Sequence, residues 1–417
     1  MRGATAVDTL ATADAMQPKS SDAARITRPD LGLAARRELD ELARQSLLRE
    51  PRTLGAAGPR AEIEGRECLI LASNDYLGLS THSAVVSAAA DAAGRYGAGA
   101  GASRLVTGSL PIHEELEAEI AALKGTEAAI VFSSGYAANL GLIPALLARG
   151  DVAVCDKLNH ASLIDACRLS GARLRVYGHG DTTRLESILR AEASAGRLVV
   201  VTDGVFSMDG DVAPLPDVLT IAQAYGAWVV VDDAHGTGTL GRTGVGTVEH
   251  FGLDAAAFIN MGTLSKAFGS QGGFVTGSTE LIALLRNRAR SFVYSTGLAP
   301  ASAAAALAAI RLAREQPEIR QRLWRNVRLL RQRITPAGLL PVSTDSQITS
   351  LVIGGVEQAL AFADELLRAG VFAPAIRPPT VPRGTSRVRI SVTAAHTRED
   401  VEEAAAAICE AAESIKS

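Results

Sequence analysis

The chain has 417 residues, 47% of them hydrophobic and 21% charged, with a net charge of −3 and a pI near 6.2. That length supports one large core or two ordinary ones, and the slightly acidic balance excludes a general basic field for nucleic acid or acidic membranes. The four cysteines, Cys68, Cys155, Cys167 and Cys409, form no CxxC pair, which argues against a structural zinc site and a disulfide framework, fits a reducing cytoplasm, and leaves no metal expected.

In chain order, residues 1–34 mix acids into small and polar residues with no apolar h-region and read as a disordered tail; no run anywhere approaches the roughly 20 apolar residues that span a bilayer. Residues 35–80 read as an N-terminal arm, with AARRELDELARQSLLRE helical, ECLILAS a strand and NDYLGLS rich in turns. Over 81–300, after the glycine-rich YGAGAGASRLVTGS, the short apolar runs AAIVF, DVAVCD, RLRVYG, RLVVVTD, WVVVDD, AAFINMG and GGFVTG alternate with helical segments. Continuous apolar runs separated by helices predict a mainly parallel sheet covered on both faces. A long helical stretch, APASAAAALAAIRLAREQPEIRQRLWRNVRLLRQRI, opens residues 301–417, a smaller α+β domain with strands at SLVIGG, GVFAPAI and SRVRISVTA and a closing helix at REDVEEAAAAICEAAESI. In its arginine-rich part, Leu323, Val327 and Leu330 recur at helical spacing, so it reads as a solvated amphipathic helix rather than a nucleic-acid surface.

Ligands of open parallel sheets gather outside the carboxyl ends of the strands, so the polar residues that end these runs are the candidates for chemistry. AAIVF ends in Ser133, Ser134, Gly135 and Tyr136 ahead of a helix, a small-residue turn that suits a phosphate but also serves as a plain connection. WVVVDDAHG brings Asp232 to a strand end with His235 three residues on; the competing reading is an internal salt bridge to an arginine. RLVVVTDGVFSMDGD ends a strand at Asp203 with Ser207 beyond it, and DKLNHAS sets His160 just after a strand that finishes at Asp156. AAFINMG leads into TLSKAFGSQGG, with Thr263, Ser265 and Lys266. Lysine occurs only at Lys19, Lys124, Lys157, Lys266 and Lys416, and an ammonium in this apolar setting is unfavourable unless it is paired or neutralised.

If these strand ends converge, one site holds an amine nucleophile, a carboxylate, two histidines and phosphate-binding amides and hydroxyls. Pyridoxal 5′-phosphate needs that set: an amine for its aldehyde, a carboxylate to keep its pyridine nitrogen protonated, and a helix terminus for its phosphate. GTGTLG, residues 236–241, fits GxGxxG, yet RTGVGTVEHFG behind it neither opens a helix nor leads to a strand-end acid, so a dinucleotide fingerprint is rejected.

The motifs SNDYLGL, YGAGAGASRLVTG, FSSGYAAN, HASLIDACRLSGA, DGVFSMDGD, DDAHGTG, GTLSKAFGSQGG, YSTGLAP and IRPPTVPRGTSRVRISVTAAHT together resemble the α-oxoamine synthases, which condense an amino acid with an acyl thioester and release carbon dioxide. The resemblance covers nearly everything after about Ala35. It implies an α/β chain of pyridoxal-phosphate fold type I, aspartate aminotransferase-like, with a large domain around a mainly parallel seven-stranded sheet and a smaller α+β C-terminal domain, acting as a cytoplasmic homodimer. It implies Lys266 as the Schiff-base lysine that also moves the Cα proton, Asp232 on the pyridine nitrogen, His235 on the ring oxygen and His160 stacked on the ring. Gly135, Tyr136, Ser207 and Thr263 match cofactor contacts, and Ser295 with Thr296 match groups that reach the phosphate in the partner subunit. Arg389 matches the arginine for the amino-acid carboxylate, while Arg49, Asn74, Arg377 and Thr380 fall on the substrate side.

Within the family, IRPPTVPRGTSRVR and SQGG are most similar to the members that join L-alanine to a pimeloyl thioester in biotin synthesis, with coenzyme A and acyl carrier protein both open as the thioester carrier. Members that make 2-amino-3-oxobutyrate, 5-aminolevulinate or long-chain ketones share the chemistry and differ in the pocket. Two departures bear on that pocket: Asp203 stands where some relatives have Glu, and QITSLVIGG lacks a Gln-Pro. A transaminase or lyase on the same fold is disfavoured by RPPTVPRGTSR, and a catalytically dead binding module by the intact Lys266, Asp232, His235 and His160.

Overall fold

The computed structural model describes residues 30–339, 341–343 and 345–414. They fall into two compact units, one ending at Arg49 and one running from Glu50 onward. The first holds helix α1 (Leu31–Arg44), which begins ahead of the expected boundary at Ala35. Asp30 is the reason: its Oδ1 accepts from the N–H of Gly32 at 2.8 Å and of Leu33 at 3.3 Å, a side-chain cap on orphan donors. The earlier part of the expected tail lies outside the described residues.

The second unit opens with an antiparallel hairpin, β1 (Arg60–Ile63) and β2 (Arg66–Ile70), that turns through Glu64 and Gly65 at φ of 53° and 77°. Both positive values are what a right-twisted two-residue turn requires, and Gly65 adopts its own freely. Helices α2 (Ser83–Tyr96) and α3 (Pro111–Lys124) follow, and then the alternation predicted from the apolar runs: β3 (Ala128–Phe132), α4 (Gly135–Leu146), β4 (Val152–Asp156), α5 (Ala161–Leu169), β5 (Arg173–Tyr177), α6 (Thr182–Ala191), β6 (Leu198–Asp203), α7 (Leu215–Ala224), β7 (Trp228–Asp232), α8 (Thr247–His250), β8 (Ile259–Thr263) and β9 (Gly273–Gly277). The seven strands β3 to β9 form one sheet in the order β3-β9-β8-β7-β6-β4-β5. Strand β9 runs antiparallel to β3 and β8, and every other neighbouring pair is parallel.

Both faces are covered. Val199, Val201, Val230 and Met261 pack with Leu142 of α4 and Leu163 of α5, while the alternate residues Val200, Val229 and Val231 pack with Leu185 of α6 and Val218 of α7. Each fully buried valine contributes about 1.5 to 3 kcal/mol, which is why the strands read as unbroken apolar runs. Strand order reverses between β4 and β6, so the crevice at their carboxyl ends is the switch point where ligands of such sheets bind.

Beyond the sheet come α9 (Thr279–Arg288), α10 (Arg290–Val293), α11 (Pro300–Glu315) and α12 (Pro317–Ile334). The stretch expected as one long helix breaks at Gln316, because Pro317 has no N–H to continue α11 and instead starts α12. Leu323, Val327 and Leu330 are buried along α12, as their spacing predicts. The chain ends with β10 (Thr349–Gly354), α13 (Val356–Arg368), β11 (Val371–Phe372), β12 (Ala375–Ile376), β13 (Ser386–Ile390) and α14 (Arg398–Ser414). GVFAPAI, expected as one strand, divides between two sheets: β11 pairs in parallel with β2, and β12 pairs antiparallel with β13, whose other neighbour is β10. No helix among the described residues is long and apolar enough to cross a membrane.

Candidate active site

The carboxyl ends of β4, β6, β7 and β8 bring His160, Asp203, Asp232 and Lys266 together. Asp203 and Asp232 are partners in register on adjacent strands, 4% exposed each. Asp232 accepts from Asn139 Nδ2 at 2.8 Å and from the N–H of Ala234 at 3.0 Å. No ion pair to Asp232 exists among the described residues, so the arginine salt bridge considered from the sequence is not its role. The pairing falls instead on Asp233, just past the strand end, whose carboxylate takes Lys124 Nζ at 2.8 Å. Asp203 accepts the N–H of His160 at 2.7 Å, and burial, reinforced by the charge of Asp232, pushes its carboxyl well above the ordinary value.

Lys266 follows β8 on the loop back to β9, closed where Gly269 N–H donates to Lys266 O at 2.8 Å. Its ammonium makes no hydrogen bond or ion pair among the described residues. Removal from water lowers its pKa from the usual lysine value, against the opposing charges of Asp232 and Asp203, while Arg389 adds repulsion. A desolvated amine of lowered pKa is a nucleophile waiting for a carbonyl.

The histidines lie on two sides of this group. His235 is 6% exposed, with Nδ1 2.7 Å from Tyr76 Oη, and burial followed by the charges of Lys266 and Arg389 pushes its pKa well below the ordinary value. His160 caps α5; it keeps an exposed edge, but desolvation of the ring lowers its pKa, with Asp232 opposing and Lys266 assisting.

Backbone donors without intrahelical partners gather where α4 starts. Ser134 caps the helix, its Oγ accepting from Ala137 N–H at 3.1 Å, and the first N–H groups, those of Gly135 and Tyr136, have no intrahelical acceptor. The approach is close: a Cβ on Gly273 would lie 2.5 Å from Ser134 O, and one on Gly135 would lie 3.6 Å from Thr263 Oγ1. Thr263 donates to Gly272 O at 2.8 Å and accepts from Ser265 N–H at 3.1 Å. The Tyr136 side chain turns outward to Asp165 at 2.5 Å.

Arg389 on β13 is 7% exposed and joins three segments: Nε donates to Ser207 O at 2.6 Å, and Nη2 donates to Asn74 Oδ1 at 3.0 Å and Tyr76 Oη at 2.8 Å. Its Nη1 has no acceptor among the described residues, which leaves half the guanidinium fork for a carboxylate. Arg377 and Thr380 lie on the turn after β12, with Thr380 N–H donating to Arg377 O at 3.1 Å, and Ile376 is in register with Arg387, two residues before Arg389. Ser295 is half-buried and Thr296 exposed, on a segment that bridges to Ser103 in the glycine-rich loop. Arg49 is the last residue of the first unit.

The family model for class I and II aminotransferases matches residues 66–408. An 8-amino-7-oxononanoate synthase from Geobacter sulfurreducens is 49% identical over 375 residues, spanning 89% of this chain and 96% of its own length. One from Lysinibacillus sphaericus is 47% identical over 369 residues, spanning 88% and 95%. The chain belongs to the class I and II aminotransferase family, among its α-oxoamine synthases. Solved α-oxoamine synthases share the fold: a serine palmitoyltransferase from S. paucimobilis, bound to a PLP-myriocin adduct, has a TM-score of 0.87 at 31% identity over 92% of this chain and 98% of its own. An 8-amino-7-oxononanoate synthase from Francisella tularensis has a TM-score of 0.72 at 28% identity, covering 83% and 98%.

In this α-oxoamine synthase, sequence reasoning missed Asn139, Ser162 and the link from Tyr76 to His235. Asn139 lies inside the quoted FSSGYAAN, four residues after Gly135, one helical turn into α4. That spacing returns its side chain to the face that carries the helix N-terminus, a signal that was legible.

Proposed function

We propose that this chain catalyses the decarboxylative condensation of L-alanine with a pimeloyl thioester to 8-amino-7-oxononanoate, a pyridoxal-phosphate-dependent step of biotin biosynthesis, as a cytoplasmic homodimer. The observation that carries the reading is Lys266, a desolvated, unpaired amine facing two carboxylates, in a chain 46 to 49% identical to several proteins named 8-amino-7-oxononanoate synthase. When bound, pyridoxal phosphate supplies an aldehyde for this amine and an electron sink for the substrate Cα.

The residues divide the remaining work. Asp232 would hold a proton at the pyridine nitrogen, its carboxylate oriented by the N–H donors of Asn139 and Ala234. The amides of Gly135 and Tyr136 bind the phosphate, with Ser207 and Thr263 alongside, and Ser295 and Thr296 serve the site of the other subunit. His160 would cover the ring face, and His235, its Nδ1 engaged by Tyr76, would offer Nε2 to the ring oxygen. Arg389 receives the alanine carboxylate at its open Nη1 end and so orients Cα toward Lys266 Nζ, which takes the Cα proton and returns one after carbon dioxide leaves. Asn74, Arg49, Arg377 and Thr380 belong to the substrate side, where a pimeloyl chain needs an apolar wall and a polar group for its far end.

The test is an assay of alanine, glycine and serine against acetyl, succinyl, pimeloyl and palmitoyl thioesters, on coenzyme A and on acyl carrier protein. Alanine with the pimeloyl thioester should exceed the acetyl and succinyl thioesters by at least about tenfold in kcat/KM, since each extra buried methylene contributes up to roughly 0.8 kcal/mol. A faster reaction of glycine with acetyl or succinyl thioester, or of serine with palmitoyl thioester, overturns the substrate assignment in favour of another family member's reaction.

A further inference from the structure

Four side chains make one hydrogen-bonded line across the strand ends. Asn139, wholly buried in α4, sets Nδ2 2.8 Å from Asp232 Oδ2 and 2.9 Å from Ser162 Oγ. Ser162, 1% exposed at the start of α5, sets Oγ 2.7 Å from His160 Nδ1, and its backbone N–H points at the same nitrogen at 3.3 Å. The direction of the hydrogens follows from the carboxylate end. An ionised Asp232 only accepts, so Asn139 must present its NH₂ group, and both of its hydrogens are then used, one on Asp232 and one on Ser162. Its Oδ1 is buried without a partner, so no competing bond sets the amide the other way round. Ser162 Oγ, already accepting from Asn139, passes its own hydrogen on. Two donors from Ser162 thus converge on His160 Nδ1, which must offer a lone pair.

We infer that Asn139 and Ser162 are positioning residues, a hydrogen-bond relay anchored on Asp232 that aims the Ser162 hydroxyl at His160 Nδ1 and so holds the imidazole neutral, with the ring proton on Nε2. The inference rests on the cofactor reading proposed above, in which His160 covers the ring whose nitrogen Asp232 keeps protonated. A neutral imidazole adds no second positive charge against that ring, so the negative charge of Asp232 is felt at the pyridine nitrogen undiluted. The surroundings of His160 pull in both directions. Asp232 at the end of β7 and Asp165 on α5 favour an imidazolium, whereas desolvation and Lys266 beyond β8 disfavour it; Asp203 at the end of β6 takes only the backbone N–H of His160, and burial pushes the pKa of His235 beyond β7 well down. Hydrogen bonds donated to the unprotonated Nδ1 decide between them in favour of the neutral ring.

The test uses holoenzyme labelled with ¹⁵N-histidine, with the His160 signals assigned by their loss in His160→Asn. In the parent, long-range ¹H–¹⁵N correlations should give a neutral ring protonated on Nε2 across about pH 6 to 8. Ser162→Ala should raise the titration midpoint of His160 by about one pH unit, and Ser162→Thr, which keeps the hydroxyl, should restore it. Asn139→Ala should also raise that midpoint and cut kcat by at least about tenfold while the KM for alanine stays within about twofold, because Arg389 and its partners are untouched. A parent ring protonated on Nδ1, or an Ser162→Ala titration unchanged from the parent, overturns the relay even if borohydride still fixes the cofactor on Lys266. Borohydride labelling of a different lysine in the parent overturns instead the cofactor reading beneath it.

Discussion

Among the described residues, Lys124 is buried and Lys266 half-buried at the strand ends, and the two differ in what surrounds the ammonium. Lys124, 3% exposed, spends its three hydrogens on Asp233 Oδ2 at 2.8 Å, Thr237 Oγ1 at 2.8 Å and Val245 O at 2.5 Å. Lys266 spends none. The same substitution should therefore act oppositely at the two positions. Lys124→Ala strands the Asp233 carboxylate and should lower stability by about 3 to 5 kcal/mol in urea unfolding. Lys266→Ala removes an unfavourable ammonium, so the cofactor-free variant should melt at or above the parent temperature, yet turnover should fall by on the order of a thousandfold or more and borohydride should no longer fix the cofactor. A Lys266→Ala variant that melts well below the cofactor-free parent would show that the amine has a structural partner. Lysine rarity and the strand-end position singled out Lys266 in the sequence; that Lys124 is the satisfied one depends on α3 and the loop after β7 meeting, which no local pattern encodes.

At the scale of elements, two loops position the site from outside it. His179, after β5, donates through both nitrogens, with Nδ1 3.1 Å from Asp156 at the end of β4 and Nε2 2.8 Å from Asp211 on the loop that carries Ser207. These two carboxylates push its pKa up from 6.5 to about 10. A raised folded-state pKa gives a stabilisation that is complete below the unfolded value near 6.5 and lost as pH rises through about 10. The gap in urea midpoint between the parent and His179→Ala should accordingly be widest below about pH 6.5 and narrow toward about pH 10; a gap independent of pH would mean that the imidazole is held uncharged. The second loop is the glycine-rich return into β9. A methyl group on Gly273 would meet Ser134 O at 2.5 Å, so Gly273→Ala must push the first turn of α4 away from Thr263. Its affinity for pyridoxal phosphate should drop by at least about tenfold in a spectroscopic titration, the scale of one lost charge-assisted contact. Unchanged affinity would remove the start of α4 from the phosphate site.

For the whole molecule, the proposed dimer makes each site depend on Ser295 and Thr296 from the other subunit. Inactive Lys266→Ala subunits mixed with subunits carrying Ser295→Ala and Thr296→Ala should regain roughly a quarter of parental activity, since random exchange leaves one intact site in each heterodimer of a two-fold assembly. Mixtures that stay inactive after subunit exchange would place both residues in the site of their own chain.

The sequence by itself determined the seven strands of the main sheet and the strand ends where chemistry collects, because a strand covered on both sides writes its environment into an unbroken apolar run; only the edge strand β5, with Arg173 and Arg175 exposed, lacks that burial. It also determined the family, through long motifs in a fixed order. The tertiary structure alone decided where chain segments far apart in sequence meet. GVFAPAI divides between two sheets because its two halves find different neighbours, β2 and β13. Of two consecutive aspartates, Asp232 at the last position of β7 turns to Asn139, while Asp233, just past the strand end, turns to Lys124. The line from Asp232 through Asn139 and Ser162 to His160 draws on β7, α4 and α5, and hydrogen bonds of that kind leave no periodicity in any one of them.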